Sequence, residues 1–314
     1  QDFYQQEKVR FPDISYDLQV ANKVYNSYPM RYKVFLQQAA QHAGLSLNQI
    51  KIINAFEWLM FGVDMHHCSF LALWGPYRSG NEVALVRNYD FSQDVLAFRS
   101  KLAMVIFHPP DGVSTLMLTY LGTLNATTLY NQKGLFLALN AGPHNVGPTY
   151  FSSRVALPIL LLDSMLGASS MEQLQQQLAS IKPQAPYIIN IANKNNALSV
   201  EMAPEKQFQR QAMQQGALVA TNHFIDSDWD AAMLRGSVGS MQRRVNILKQ
   251  LQLRSRPLSD QLMQNMFSWD LNQGGAGYTN LKKEGLYTAF GVMLDYHKGQ
   301  LALRIAPARN WLQF

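Results

Sequence analysis

Three hairpin signatures in close succession constrain this chain most. CSFLALWG (68–75) and EVALVRNYDF (82–91) flank the polar turn PYRSGN. KLAMVIFHPP and STLMLTYLG flank Asp111–Gly112, and NATTLYN and GLFLALNAG flank Gln132–Lys133. Short apolar runs around Gly-containing or polar turns favour antiparallel pairing, because such a turn returns the chain directly beside itself. Further strand-like runs follow: PYIINIAN, ALSVEMAP and ALVATNHF, then LYTAFGVMLDY and QLALRIAPA.

Helical spacing fills the gaps between these runs. Residues 1 to 67 read as mainly helical, with periodic segments from Tyr32 to Ala43, ended by Gly44, and from Leu47 to Phe61. Ser152 to Gly167 is apolar nearly all round, as a buried helix is. Ser170–Ile181, Ser237–Leu253 and Pro257–Phe267 complete the helical set, and GGAGY (274–278) reads as a loop. Helices and hairpin-linked strands segregated in this way indicate an α+β fold, well buried as two face-to-face sheets with helices outside.

Composition narrows the function. With 314 residues, 47% hydrophobic and 15% charged, the chain can bury a large core. The net charge of +6 is scattered, the tightest clusters being Arg243–Arg244 and Lys282–Lys283, so no basic stripe suits nucleic acid. No apolar run approaches membrane-spanning length. The start at Gln1 rather than a methionine suggests a removed leader, and hence export to a periplasmic, secreted or lysosome-like compartment.

The single cysteine, Cys68, excludes an intrachain disulfide, and a lone cysteine is most often a small buried hydrophobe. Its neighbours weigh against that reading. Cys68 starts a strand, and Arg87 and Asp90 lie on the partner strand of the same hairpin. A nearby cation favours the thiolate, and a carboxylate can hold an amine. Taken alone, Arg87 and Asp90 could equally form an ordinary cross-strand ion pair, Asn140 and Asn222 could serve turns or caps, and Arg243 could be a solvated helix residue.

The order of these segments resembles a family. C-S-F at Cys68 followed by R-N-Y-D-F (87–91), N-Q-K-G-L-F-L-A-L-N (131–140), V-A-T-N-H-F (219–224) and S-M-Q-R-R (240–244) are similar to the cysteine N-terminal-nucleophile hydrolases. That group includes choloylglycine hydrolases, penicillin V acylases, acid ceramidase-like amidases and acyl-coenzyme A:6-aminopenicillanic acid acyltransferases. The prefix AGLSLNQIKIINAFEW is most like the acyltransferase and acid ceramidase branches.

The resemblance implies a four-layer αββα sandwich, with a pro-segment over residues 1–67 and a catalytic core over 68–314. It implies self-cleavage of the His67–Cys68 bond, freeing an α-amine that serves as base for the thiol. Cys68 would then attack a linear non-peptide amide with a hydrophobic acyl group. Asp90 would orient the amine, Arg87 polarise the site, Asn140 and Asn222 donate to the oxyanion, and Arg243 complete the surround. The pro-segment would stay bound, and no cofactor or metal is implied. Acyl transfer to an amine, or a lapsed binding module, stays open, as does the oligomeric state. The chain departs from the family at His67, where relatives often carry a small residue, and spacing does not separate Arg243 from Arg244.

Other readings are weaker. Asp64, His66, His67 and Cys68 lack the spacing of a zinc site. The local signature of a papain-like cysteine is absent. GGAGY lacks the lysine of a phosphate loop, and the Asn125-Ala126-Thr127 sequon reads as accidental.

Overall fold

Side-chain alternation along the first strand sets the architecture. In the computed structural model, which describes residues 14–59, 67–143, 154–210, 212–213, 216–279, 285–308 and 310–314, β1 (His67–Gly75) pairs antiparallel with β2 (Asn81–Ser92). Cys68, Phe70 and Ala72 point to one face and Leu71 and Leu73 to the other, and both faces are buried. A strand buried on both sides needs a layer above and below it.

One layer is a second sheet. The first sheet runs β10 (Ala217–Ala220), β1, β2, β11 (Leu286–Asp295), β12 (Gln300–Ile305), β13 (Leu312–Gln313). The second runs in chain order through β3 (Leu102–Phe107), β4 (Thr115–Tyr120), β5 (Thr128–Asn131), β6 (Phe136–Ala141), β7 (Tyr187–Ala192), β8 (Ala197–Met202) and β9 (Gln207–Arg210). All the pairings are antiparallel. Phe70, Leu85 and Phe290 of the first sheet meet Phe136, Ala138 and Ile188 of the second in one core.

Helices cover the outer faces. Above the first sheet lie α6 (Val238–Leu253) and α7 (Asp260–Ser268), which bring Ile247, Met263 and Phe267 onto Leu71, Val86 and Met293. Outside the second sheet lie α4 (Leu157–Gly167) and α5 (Met171–Ser180). The N-terminal helices α1 (Ile14–Ser27), α2 (Met30–His42) and α3 (Leu47–Leu59) join that layer, packing Val24, Leu36 and Ile50 into a core shared with Leu129 and Leu161. The result is the expected αββα sandwich. No described helix is long and apolar enough to cross a membrane.

Local chemistry shifts two of the expected boundaries. The helix expected from Ser152 starts at Leu157, with Pro158 in its first turn, where a missing N–H costs nothing; residues 152–153 lie outside the described set. The helix expected from Pro257 starts at Asp260, because Ser259 caps it by accepting from Leu262 N–H. The short strands β9 and β13 add to those expected from the sequence. Both lie at sheet edges and lack the apolar alternation that marks the others.

Candidate active site

The thiol and the peptide nitrogen of Cys68 are engaged by different groups. Cys68 stands opposite Tyr89, and Phe70 opposite Arg87, so Arg87 is the diagonal neighbour of the thiol on the face between the sheets. Its Nη2 lies 3.7 Å from Cys68 Sγ and donates to Leu139 O at 2.8 Å, while Nη1 donates to Thr128 Oγ1 at 2.6 Å. Arg87 thus spans the two sheets, with Tyr89 and Phe290 rings beside it at 5.3 and 5.7 Å.

Asp90, three residues along β2, faces the opposite side because strand side chains alternate. It meets α6 there rather than pairing with Arg87. Thr288 Oγ1 donates to Asp90 Oδ1 at 2.6 Å, and Arg243 Nη1 lies 3.8 Å from Oδ2. Arg243 is completely buried. Its Nη1 donates to Cys68 O at 2.5 Å and Ser69 Oγ at 2.8 Å. Its Nη2 donates to Asn222 Oδ1 at 2.7 Å and lies 3.1 Å from His67 Nδ1. Asn222 Oδ1 in turn accepts the Cys68 backbone N–H at 2.8 Å. One helical step turns Arg244 away from Cys68, toward Glu201 and His223.

Asn140 and Asn222 come together at the ends of their strands. Asn140 Nδ2 donates to Thr221 O and Asn222 Nδ2 to Ala141 O, leaving each amide one further N–H. Among the described residues, Arg87 Nε, Asp90 Oδ2 and Asn140 Oδ1 are buried without a hydrogen-bond partner. Unsatisfied buried polar atoms are uncommon, and three of the seven found among the described residues belong to Arg87, Asp90 and Asn140.

Two contributors lie in segments the sequence flags, S-M-Q-R-R (240–244) and GGAGY (274–278), without being marked there as site residues. Ser240 Oγ accepts the Asn222 N–H at 2.8 Å and contacts His223 Nδ1 at 2.8 Å, which fixes the Asn222 loop to α6. Tyr278, from the GGAGY loop, sits over Arg243 at 5.6 Å and beside His67 at 5.8 Å. Gly239 makes room for it, since an added Cβ would stand 2.7 Å from the Tyr278 hydroxyl. Asp64 and His66 lie outside the described residues.

Burial governs the titration of the site. The Cys68 thiol is pushed up to about 11 by desolvation, which Arg87 opposes and Asp90 reinforces. At neutral pH it is therefore a protonated thiol. The Asp90 carboxyl is pushed up to about 6 by burial, which the facing Arg243 opposes. Burial, then Arg210, Arg244 and Arg243, push His223 down to about 4.

The last two shifts have opposite consequences. Stability held by neutral His223 is present above its ordinary 6.5 and lost as pH falls toward 4. For Asp90 the native state binds the proton first, so stability is lost as pH rises from 3.8 to about 6. Relative to wild type, His223→Gln is expected to lower the urea midpoint as pH rises through the Asp90 window. Asp90→Asn is expected to raise it over the same range, and urea melts at stepped pH check both.

The family model for acyl-coenzyme A:6-aminopenicillanic acid acyl-transferase matches residues 77–270. The chain belongs to that family. The match takes in Arg87, Asp90, Asn140, Asn222 and Arg243 and begins beyond Cys68. No curated protein matches significantly. Among solved structures, this acyl-transferase family member is similar to a Caenorhabditis elegans ortholog of N-acylethanolamine-hydrolyzing acid amidase (14% identity, TM-score 0.52, covering 76% of this chain and 100% of that one). It is also similar to penicillin V acylase from Agrobacterium tumefaciens (13%, TM-score 0.53, 79% and 86%). A mutant conjugated bile acid hydrolase from Clostridium perfringens gives 12%, TM-score 0.52, 79% and 92%. These likenesses show the N-terminal-nucleophile hydrolase fold.

Proposed function

We propose that the protein is a self-processing cysteine amidase that cleaves a linear non-peptide amide through an acyl-cysteine at Cys68. One observation carries the reading. The nitrogen that cleavage would turn into an α-amine is already held by Asn222 Oδ1 at 2.8 Å, with Arg87 3.7 Å from the thiol of the same residue.

In processing, Cys68 Sγ attacks the His67 carbonyl carbon and the C–N bond breaks, the thiol proton passing to the departing nitrogen. Water then hydrolyses the thioester, releasing the His67 carboxylate and restoring the thiol. The freed amine has an ordinary pKa of about 7.7–8.0 and can take the thiol proton near neutral pH. It returns that proton to the leaving amine of the substrate, and water resolves the acyl-cysteine. Asn140 and Asn222, each with an N–H to spare, would donate to the oxyanion, and Arg243 and Asp90 would set the field around the new amine.

Cleavage divides the chain into 1–67 and 68–314. The N-terminal segment stays bound, because Val24, Tyr32, Leu36 and Ile50 would otherwise be exposed. Asn54 reinforces it by donating to Gly122 O and accepting from Leu124 N–H. Intact mass under denaturing conditions is expected to give two fragments, the larger beginning Cys-Ser-Phe, which co-elute as one species in native size exclusion. A single uncut chain after long incubation at mildly acidic to mildly basic pH would reject the mechanism.

The family match favours a second reading, in which an amine rather than water resolves the same acyl-enzyme. A thioester donor supplied with an amine acceptor separates the two: amide product means transfer, free acid means hydrolysis.

A further inference from the structure

A cavity of about 530 Å³ lies outside the thiol site, between α7, the 269–279 loop and the last strand. That is ample for a small ligand. Its walls are unlike those of an acyl pocket. Among the described residues that line it, Asp270 alone is charged. Its carboxylate is already engaged: Oδ1 accepts from Thr279 N–H at 2.7 Å and Thr279 Oγ1 at 2.8 Å. Among the described residues of the wall, none offers a cation to a phosphate or carboxylate.

The Ser268 and Thr279 hydroxyls are likewise engaged, and the other polar side chains are mostly neutral amides, several with valences to spare. Gln264 is 7% exposed, lines the cavity, and among the described residues its side-chain amide has no hydrogen-bond partner. Gln261 Nε2 donates to Asn265 Oδ1, leaving Gln261 Oε1 and the Asn265 amide N–H groups free. Gln273 Oε1 accepts from Asp270 N–H, leaving its own N–H groups free. Each amide supplies both a donor and an acceptor, the pair a hydroxyl needs.

Trp311 adds a rigid apolar wall. Its Nε1 donates to Ser268 Oγ at 3.1 Å, its six-membered ring abuts Gly291, and the Arg304 guanidinium lies 5.5 Å from the ring centroid. The ring is therefore fixed while part of it lines the cavity.

We propose that this cavity binds a neutral sugar, with its hydroxyls on Gln264, Gln261 and Asn265 and its C–H face against Trp311. Uncharged amides beside a fixed indole suit a ligand that is polar at its rim, apolar on its face and without charge. This assignment stands independently of the chemistry at Cys68.

The test is saturation-transfer NMR and calorimetric titration of the whole protein with glucose, galactose, N-acetylglucosamine and their disaccharides, with inorganic phosphate in parallel. At least one saccharide is expected to bind saturably, and Gln264→Leu to weaken it about tenfold, the loss of a buried hydrogen-bonding group. If Gln264→Leu fails to fold, Gln261→Ala, on the exposed rim, serves instead and is expected to weaken binding with an unchanged melting temperature. No binding across the panel would overturn the proposal. So would saccharide binding untouched by either variant, or saturable phosphate binding that either variant abolishes.

Discussion

Cys68→Ala is expected to leave a single uncut chain with amide turnover at least about 10⁴-fold below wild type, the scale of losing a nucleophile. The thiol would be the attacking atom in processing and in turnover, so one substitution removes both. It adds only a small void to the core between the sheets, worth about 1 kcal/mol or less. The melting temperature should therefore stay close to that of the uncut wild type. Cys68→Ser retains a nucleophilic oxygen of poorer reactivity and should process slowly if at all. Intact mass followed over days, with turnover of a chromogenic N-acyl amide, reads both variants. A Cys68→Ala chain that still cuts before residue 68 would remove the thiol from the mechanism.

Arg243→Met should be the most damaging change on α6, and Arg244→Met a mild one, though the two are adjacent. Arg243 holds Cys68 O, Ser69 Oγ and Asn222 Oδ1 and faces the Asp90 carboxylate. Its removal leaves a buried carboxylate without its main counter-charge, which costs about 3–5 kcal/mol. It also releases the Asn222 carbonyl from the position that holds the Cys68 nitrogen, so processing and turnover should fall by about 10²–10³. The double variant Arg243→Met/Asp90→Asn should recover stability, because the orphaned charge is gone, without recovering activity. Denaturation midpoints and kcat/KM on all four forms complete the cycle. Equal activity in Arg243→Met and Arg244→Met would contradict this assignment.

Much of the scaffold was readable in advance because it rests on local rules. Turn residues and apolar alternation gave the hairpins that became β1–β6, and helical spacing with Gly44 closed α2. Edge strands β9 and β13 carry no such signal, because an edge strand needs no apolar alternation. The pairing of Arg87 and Asp90 was the less local question. Three residues apart on a strand they cannot share a face, and the structure places one between the sheets and the other under α6.

The sequence by itself determined the fold class, the position of Cys68 at the start of a hairpin strand, and the order of polar residues strung across 175 positions from Cys68 to Arg243. Periodicity and turn chemistry act over a few residues, and those features live at that range. Only the tertiary structure decided that Arg243 rather than Arg244 meets Cys68, that Asn222 holds its nitrogen, and that Ser240 and Tyr278 support them. Those contacts depend on how α6 is rotated against the sheet and where the 269–279 loop returns. Packing of the whole sandwich sets both, and no local pattern encodes them.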